Sequence, residues 1–303
     1  MKTIKINDQF ITIKDYHCSD GTGYLPREDG KLWLYVNLTD VCNGHCAFCI
    51  NPGRKSGTSP LDLAEFKKTL LFIKDHVYGI SITGGEPMLE PMLIDKAIGI
   101  VREVFPGNEE IDIVTNGNRF VDILNLRYLN QLDSIHLSRH RLSDEENDVL
   151  FGFHTVTWDE LKDTLFRMDD PGAVVLNCVL MKGGIETAEQ VEWYLRKALT
   201  AGVRNVSFIG MSICNRYCEE HYVDPYDLKL ENRDRFHIWS NYNDHGFCSC
   251  MSGNYESNSG SIRFYIRGMG NGSIPGYTRQ LVYTADNRLL KGFGGEAISL
   301  SDE

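Results

Sequence analysis

Three cysteines in one short loop are the residues whose types and spacing most directly indicate chemistry. Cys42, Cys46 and Cys49 have the spacing Cys-x3-Cys-x2-Cys. Three thiolates this close can hold three corners of one iron–sulfur cube, and no fourth cysteine is near enough in the sequence to close the last corner. The fourth iron would stay open to a small molecule, as a catalytic cluster requires. Phe48, just before the last thiol, would place an aromatic ring against the cluster mouth.

Clustered thiols can also bind zinc or form a disulfide. A structural zinc site takes four ligands, usually as two separated pairs. His45 lies between Cys42 and Cys46, where a chelate would be strained. The chain has nine cysteines, an odd number that fits a reducing compartment better than a disulfide framework. The spacing therefore favours an open cluster.

Alternating strand and helix patterns surround these cysteines. The run from Lys31 to Leu38 predicts a strand before the loop, and strand and helix signals then alternate as far as Met211. The predicted strands are 31–38, 80–83, 111–115, 132–138, 173–181 and 203–209. Six units are too few for a full eight-stranded barrel. The predicted fold class is therefore α/β, a partial (β/α)6 TIM-like barrel with its active edge at the carboxyl ends of the strands.

Helix-start signals separate the predicted strands. Ser59 and Pro60 predict an N-cap and a first-turn proline, and three further sites show the capping-box pattern of Ser or Thr three positions before Glu or Gln. These pairs are Ser143 with Glu146, Thr157 with Glu160, and Thr187 with Gln190. Gly202 predicts the end of the last barrel helix.

The barrel pattern covers only the middle of the chain, which predicts three parts. Residues 1–30 would be a short N-terminal extension with two strands, residues 31–211 the partial barrel, and residues 212–303 a C-terminal cap and substrate region. In this cap, the strand-like runs Ser261 to Arg267 and Thr278 to Phe293 flank a glycine-rich loop and predict a β-hairpin.

Composition restricts the classes of partner. The formal net charge is −11, which argues against general nucleic-acid binding because such proteins normally show a basic field. No run approaches the ~18 apolar residues of a membrane span, and the N-terminus MKTIKINDQF lacks the apolar core of a signal peptide. We therefore expect a cytoplasmic protein without a membrane partner.

A second motif follows the second predicted strand, which ends in Gly84-Gly85-Glu86-Pro87. The cysteine triad with an aromatic residue before its last thiol, followed by GGEP, resembles the radical S-adenosylmethionine (SAM) superfamily. The resemblance spans residues 31–211. Within the superfamily, the stretches NLTDVCNGHCAFC, LNCVLMKGGIETAEQV and VRNVSFIGM are most similar to the group that contains the GTP cyclase of molybdopterin synthesis and peptide-modifying enzymes.

The resemblance implies two cofactors and the residues that hold them. Cys42, Cys46 and Cys49 would bind an oxygen-sensitive [4Fe–4S] cluster whose open iron chelates the amino and carboxylate groups of SAM. Phe48 would lie near the adenine of SAM.

The other implied SAM contacts lie at the ends of predicted strands. Gly84, Gly85 and Glu86 would meet the methionyl amino group, chiefly through backbone carbonyls, and glycine suits such a close backbone approach. The residues implied to meet the ribose and the carboxylate are Thr115, Ser138 and Asn177. No catalytic side chain is predicted.

The C-terminal cysteines depart from the family pattern. The GTP cyclase carries a second cluster there, on a Cys-x2-Cys pattern with a third cysteine further on. This chain instead has Cys214-x3-Cys218 and Cys248-x-Cys250. Three alternatives stay open for these four thiols: an auxiliary cluster, zinc, or no site. The departure argues against the cyclase's own substrate.

The resemblance implies a radical SAM enzyme that reductively cleaves SAM to a 5′-deoxyadenosyl radical, which abstracts hydrogen from the substrate. Reduced flavodoxin or ferredoxin is the implied electron donor. A cationic cluster past predicted strands four and five favours a small anionic metabolite or nucleotide-like substrate, with a solvated helix entry as its alternative. The cluster consists of Arg139, His140, Arg141 and Lys182. The alternative functions are a peptide-modifying maturase and a non-catalytic regulator that binds SAM or the cluster.

Overall fold

A computed structural model describes residues 2–7, 9–13, 30–50, 61–107, 109–240, 250–256, 260–266, 278 and 280–300. Its centre is a parallel sheet of six strands that pair in chain order. They are β3 (Leu32–Thr39), β4 (Val77–Gly84), β5 (Glu110–Thr115), β6 (Ser134–Ser138), β7 (Val174–Leu180) and β8 (Asn205–Gly210). All six predicted strands are present, and the sheet remains open within the described ranges, so the predicted partial barrel is confirmed.

Six α-helices accompany this sheet within the described ranges. They are α1 (Leu63–Ile73), α2 (Pro91–Val104), α3 (Asp144–Phe151), α4 (Trp158–Phe166), α5 (Ala188–Ala201) and α6 (Arg216–His221). Alternate residues of each strand pack against buried residues of the helices: Leu34 and Val36 of β3, for example, share one hydrophobic core with Phe66 and Leu70 of α1. The same alternation turns the remaining strand residues toward the inside of the barrel.

The capping predictions are largely confirmed. Thr157 and Thr187 each form a complete capping box, and Gly202 ends α5 with a φ of +97°. Ser143 accepts a hydrogen bond from the Glu146 backbone N–H. The prediction for α1 is wrong, because the helix begins at Leu63 and its N-cap is Asp62. Asp is as good an N-cap as Ser, and Ser59 and Pro60 lie outside the described residues.

The predicted N-terminal strands are also present. β1 (Lys2–Ile6) and β2 (Gln9–Ile13) form a separate antiparallel pair. Their isoleucines belong to the same hydrophobic core as the barrel, so this extension is packed onto the rest of the fold. No helix within the described ranges is long and apolar enough to span a membrane.

The C-terminal strands extend the sheet at both edges. β11 (Gly260–Ile266) pairs in parallel with β8, and β10 (Cys250–Tyr255) and β9 (Phe236–Ser240) follow outward as antiparallel strands. At the opposite edge, β12 (Gln280–Tyr283) pairs in parallel with β3, and β13 (Leu289–Leu290) and β14 (Ala297–Ile298) follow. The result is one twelve-stranded sheet.

This arrangement corrects the predicted hairpin. Of the runs Ser261 to Arg267 and Thr278 to Phe293, the described strands β11 and β12 join opposite edges of the six-stranded sheet and do not pair with each other. Hairpins do form in the C-terminal part, but between β10 and β11 and between β12 and β13. Both edges of an open barrel present unpaired backbone groups, and each run pairs with one of these edges. The boundaries at residues 30 and 211 stay a proposal.

Candidate active site

The cysteine loop, residues 40–50, follows β3 at the carboxyl edge of the sheet. Cys42, Cys46 and Cys49 are all half-buried. The Gly44 backbone N–H donates to Cys42 Sγ at 3.3 Å, and the His45 N–H donates to the carbonyl of Phe151 at the end of α3 at 2.8 Å. The loop is therefore held by the barrel while its thiols stay partly accessible.

The donor set of this loop consists of three cysteine thiols, the ligands that iron–sulfur clusters take. No group of three or more His, Cys, Asp or Glu side chains in the described ranges could hold one metal ion. Ligands of one zinc ion must all lie roughly 2.0–2.3 Å from it, whereas the thiolates of an iron–sulfur cube bind different irons. A backbone N–H directed at Cys42 also suits a thiolate. The three thiols thus fit three corners of a [4Fe–4S] cluster.

The glycine turn, residues 84–87, is hydrogen-bonded directly to the cysteine loop. The Gly85 N–H donates to the Thr39 carbonyl at 2.6 Å and the Glu86 N–H to the Val41 carbonyl at 2.8 Å. A Cβ on Gly85 would overlap the Val41 carbonyl oxygen. Gly84 has a φ of +133°, and a Cβ there would overlap the Thr39 carbonyl oxygen. The two glycines therefore permit a close backbone contact within the protein, a role that sequence reasoning missed.

Glu86 is a buried carboxylate, 1% exposed, that joins the glycine turn to β5. Its oxygens accept hydrogen bonds from the Thr115 hydroxyl at 2.7 Å and from the backbone N–H groups of Met88 and Asn116 at 2.9 and 2.7 Å. Burial raises the pKa of Glu86 to about 7, although the three hydrogen bonds act in the opposite direction. The Glu86 carboxylate is thus engaged within the protein, and the contact of Glu86 with SAM stays a prediction.

Thr115 and Asn116 support the site from the end of β5. The Thr115 hydroxyl also accepts from the Gly117 N–H at 3.2 Å, so its contact with SAM stays a prediction. Asn116 was not predicted as a site residue. Its Nδ2 donates to Asn43 Oδ1 at 2.9 Å and to Cys42 Sγ at 3.9 Å. Its position beside Thr115 in the strand-ending Thr-Asn-Gly turn was the signal that could have found it.

The Phe48 ring lies against the carboxyl ends of β7 and β8. It is buried in a second, smaller apolar cluster that is separate from the main core. The other buried members of this cluster are Val179, Met181, Ile209, Met211 and Cys218. The ring also meets that of His140 edge to face, with centroids 5.2 Å apart. Phe48 can thus exclude water beside the thiols, and its contact with adenine stays a prediction.

Ser138 and Asn177 face each other in register on β6 and β7. Asn177 is 4% exposed, and its Oδ1 lies 3.4 Å from His136 Nδ1. Both residues alternate with strand residues that pack against the helices, so they lie on the inner face of the barrel. This placement is compatible with the predicted contact to SAM.

The predicted cationic cluster is largely internal. Arg139 is 1% exposed, forms an ion pair with Asp144 and lies 4.2 Å over the Trp158 ring. Its assignment to an anion site is therefore wrong, because its charge is already compensated.

The other members of the predicted cluster differ in their surroundings. His140 Nδ1 accepts from the Val179 N–H at 3.1 Å, while Arg141 donates to the His140 carbonyl. Lys182 is exposed.

Two of the four C-terminal thiols lie together beside the cysteine loop. Cys214 Sγ is 3.5 Å from Cys218 Sγ and 3.8 Å from the Cys49 carbonyl oxygen. Asn215, the N-cap of α6, donates to the Ala47 carbonyl at 2.9 Å. Cys250 is the first residue of β10, and Cys248 lies outside the described residues.

The fold and the site define an open α/β barrel with a three-thiol loop bonded to a glycine turn at its carboxyl edge. Residues 36–212 match the Radical SAM superfamily, and the chain belongs to this superfamily, as predicted. The cofactors of the superfamily are a [4Fe–4S] cluster and SAM.

Sequence relatives resemble this chain over part of its length. A GTP 3′,8-cyclase from Aquifex aeolicus is 31% identical over 158 residues, covering 50% of this chain and 48% of the cyclase. The chain thus spans about half the length of this relative.

Solved structures extend the likeness of the fold beyond the barrel. Streptococcus suis SuiB bound to S-adenosylmethionine has a TM-score of 0.58 at 17% identity, over 89% of this chain and 63% of SuiB. SuiB bound to its precursor peptide SuiA has a TM-score of 0.57 at 17% identity, over 86% of this chain and 59% of SuiB. At this identity the likeness shows the fold alone.

Proposed function

We propose that the protein is a radical SAM enzyme: the bound cluster would supply one electron for the cleavage of SAM to methionine and a 5′-deoxyadenosyl radical, which would abstract hydrogen from the substrate. The observation that carries this proposal is the direct hydrogen bonding between the cysteine loop and the glycine turn. It brings three thiols and a close-approach backbone to the same edge of the barrel. Reduced flavodoxin or ferredoxin is the proposed electron donor.

In this proposal the residues of the chain bind the cluster, orient SAM and exclude water from the site. Cys42, Cys46 and Cys49 hold the cluster. The proposed SAM contacts are Phe48, Gly84, Gly85, Glu86, Thr115, Ser138 and Asn177. Glu86 holds the glycine turn against β5, so that the backbone carbonyls of the turn keep one position. Phe48 and its apolar neighbours limit the access of water to reactive groups.

The first proposed substrate class is a small anionic metabolite or a nucleotide-like molecule. Its support is the sequence similarity to a GTP 3′,8-cyclase over half of the chain. The internal ion pair of Arg139 weakens the support for an anionic substrate, because only Arg141 and Lys182 then remain as cations of the predicted cluster.

A peptide is the second proposed substrate class. The close pair of Cys214 and Cys218 beside the cysteine loop favours it, because auxiliary thiols would support a peptide-modifying maturase. An iron content above four per chain that falls to four in the Cys214→Ala variant would support an auxiliary cluster. A content of four in both proteins would contradict it.

The test of the proposed function is anaerobic reconstitution with iron and sulfide, then reduction by dithionite in the presence of SAM and an assay for 5′-deoxyadenosine. We expect production by the wild-type protein and none by Cys46→Ala. Cys178→Ala is a matched control, since Cys178 is a fully buried thiol of the main core, and it should retain production. Bound SAM and cluster without any cleavage would favour the regulator instead.

A further inference from the structure

Asn116 lies where three segments of the site meet. Its Nδ2 donates to Cys42 Sγ at 3.9 Å and to Asn43 Oδ1 at 2.9 Å, both in the cysteine loop. Its backbone N–H donates to Glu86 Oε2 at 2.7 Å. Asn116, the residue directly after β5, therefore contacts both the cysteine loop and the glycine turn.

The orientation of the Asn116 amide follows from its partners. The Asn118 backbone N–H donates to Asn116 Oδ1 at 2.9 Å. Because this donor requires the amide oxygen, the amide nitrogen must face Asn43 and Cys42. The nitrogen carries two hydrogens, one for each of these acceptors. The Cys42 sulfur thus faces a donor whose direction is set by the surrounding chain.

Donors to the ligand sulfurs are among the features that set the reduction potential of an iron–sulfur cluster. An N–H stabilises negative charge on a thiolate, and more charge resides there after uptake of one electron. Gly44 supplies one donor to Cys42 from within the loop, and Asn116 supplies another from a different element.

We propose that Asn116 is a positioning residue that makes the bound cluster easier to reduce by donating to the Cys42 thiolate. This inference rests on the cluster-binding part of the proposed function and does not require SAM cleavage. It concerns one electron taken up by the cluster from an external reductant, which is dithionite in the experiment.

The test is an anaerobic dithionite titration of the reconstituted protein, without SAM, followed by electron paramagnetic resonance. For Asn116→Ala we expect an unchanged iron content and an equilibrium constant of reduction that is about tenfold smaller, equal to a potential about 59 mV more negative. Asn118→Ala is the matched control. Asn118 contacts Asn116 through its backbone N–H, which alanine keeps, so the reduction potential of Asn118→Ala should equal that of the wild type.

A second variant keeps the test decisive if alanine prevents folding. Asn116→Asp retains the oxygen that accepts from Asn118 but places a carboxylate oxygen opposite the sulfur, so we expect a larger negative shift. A wild-type potential in Asn116→Asp would overturn the proposal, and so would an equal shift in Asn118→Ala. An iron content below four per chain in the reconstituted wild-type protein would instead contradict the proposed function.

Discussion

Glu86 and the two glycines before it show how single residues hold the site together. The Glu86 carboxylate is buried and accepts hydrogen bonds from Met88, which follows the glycine turn, and from Thr115 and Asn116 at the end of β5. Gly84 and Gly85 let two backbone segments approach closely. These residues stabilise the protein around the cofactors, so their substitution should change stability even when no cofactor is present.

The raised pKa of Glu86 predicts a pH-dependent stability. Between the ordinary pKa of 4.5 and the folded value of about 7, the folded protein binds more protons than the unfolded chain, so its stability falls as pH rises, by at most roughly 1.4 kcal/mol per pH unit. Glu86→Gln has no such titration. We expect the unfolding free energy of this variant, relative to the wild type, to increase from pH 5 to pH 7.5 in urea titrations of the cluster-free protein.

Glu90→Gln is the matched control for this prediction. Glu90 is exposed and follows the same turn, so the free energy of unfolding of Glu90→Gln, plotted against pH, should run parallel to that of the wild type. A parallel curve for Glu86→Gln as well would show that the Glu86 carboxyl does not titrate as its burial implies.

The close contact at Gly85 predicts a cost for any side chain there. Gly85→Ala should lower the unfolding free energy by about 1–3 kcal/mol, because the added Cβ would overlap the Val41 carbonyl and force the loops apart. It should also lower the iron content after reconstitution. Gly99→Ala, within α2, is the matched control. Its new Cβ would lie 3.5 Å from the Tyr128 ring, an ordinary contact, so we expect a free energy of unfolding equal to or slightly above that of the wild type. Equal stabilities of the two variants would contradict the close contact.

At the scale of elements, α6 is a short helix that touches the cysteine loop through its cap. Asn215 Oδ1 accepts from the Cys218 N–H at 3.0 Å, while Nδ2 donates to the Ala47 carbonyl. One side chain thus starts the helix and ties it to the segment between Cys46 and Cys49. The same contacts bring Cys214 and Cys218 beside that loop.

The two bonds of Asn215 can be separated by substitution. Asn215→Ala should lower the unfolding free energy by about 1 kcal/mol through loss of the N-cap and should speed loss of iron to a chelator. Asn215→Asp keeps the capping oxygen but loses the donor to Ala47, so its stability should be restored while iron loss remains fast. Slow iron loss from the Asp variant would show that the bond to Ala47 does not hold the loop.

At the scale of the whole molecule, the C-terminal strands are part of the barrel core. β12 lies against β3, and Tyr283 of β12 packs on Phe66 of α1 with ring centroids 5.4 Å apart. β11 occupies the other edge, on β8. The strand that precedes the cysteine loop therefore has a partner on each side, and one of these comes from the far end of the sequence.

Tyr283 tests whether the barrel and the C-terminal strands unfold together. Tyr283→Ala should lower the global unfolding free energy by about 3–5 kcal/mol, because it opens a cavity in the shared core. Tyr283→Phe removes only the hydroxyl that donates to Asn287 Oδ1 at 3.2 Å and should cost about 1 kcal/mol. Separate unfolding transitions, with the barrel transition unchanged in Tyr283→Ala, would contradict a shared core.

The predictions that held depend on residues close together in sequence. The capping boxes at Thr157 and Thr187 and the glycine stop at Gly202 are each determined by residues a few positions apart. The strand and helix periodicity likewise reflects which local positions face the core. Arg139 was misassigned because its partners Asp144 and Trp158 could not be known from its place after a strand.

The sequence by itself determined the chemistry available to this protein: three thiols at cluster spacing, a glycine turn and six βα units. Only the tertiary structure decided that the two C-terminal runs complete opposite edges of the sheet, that Glu86 is used to join the loops, and that Asn116 faces a thiol. The physical reason is that ligand spacing and helix caps are local, whereas strand pairing and buried hydrogen bonds join residues far apart in the chain.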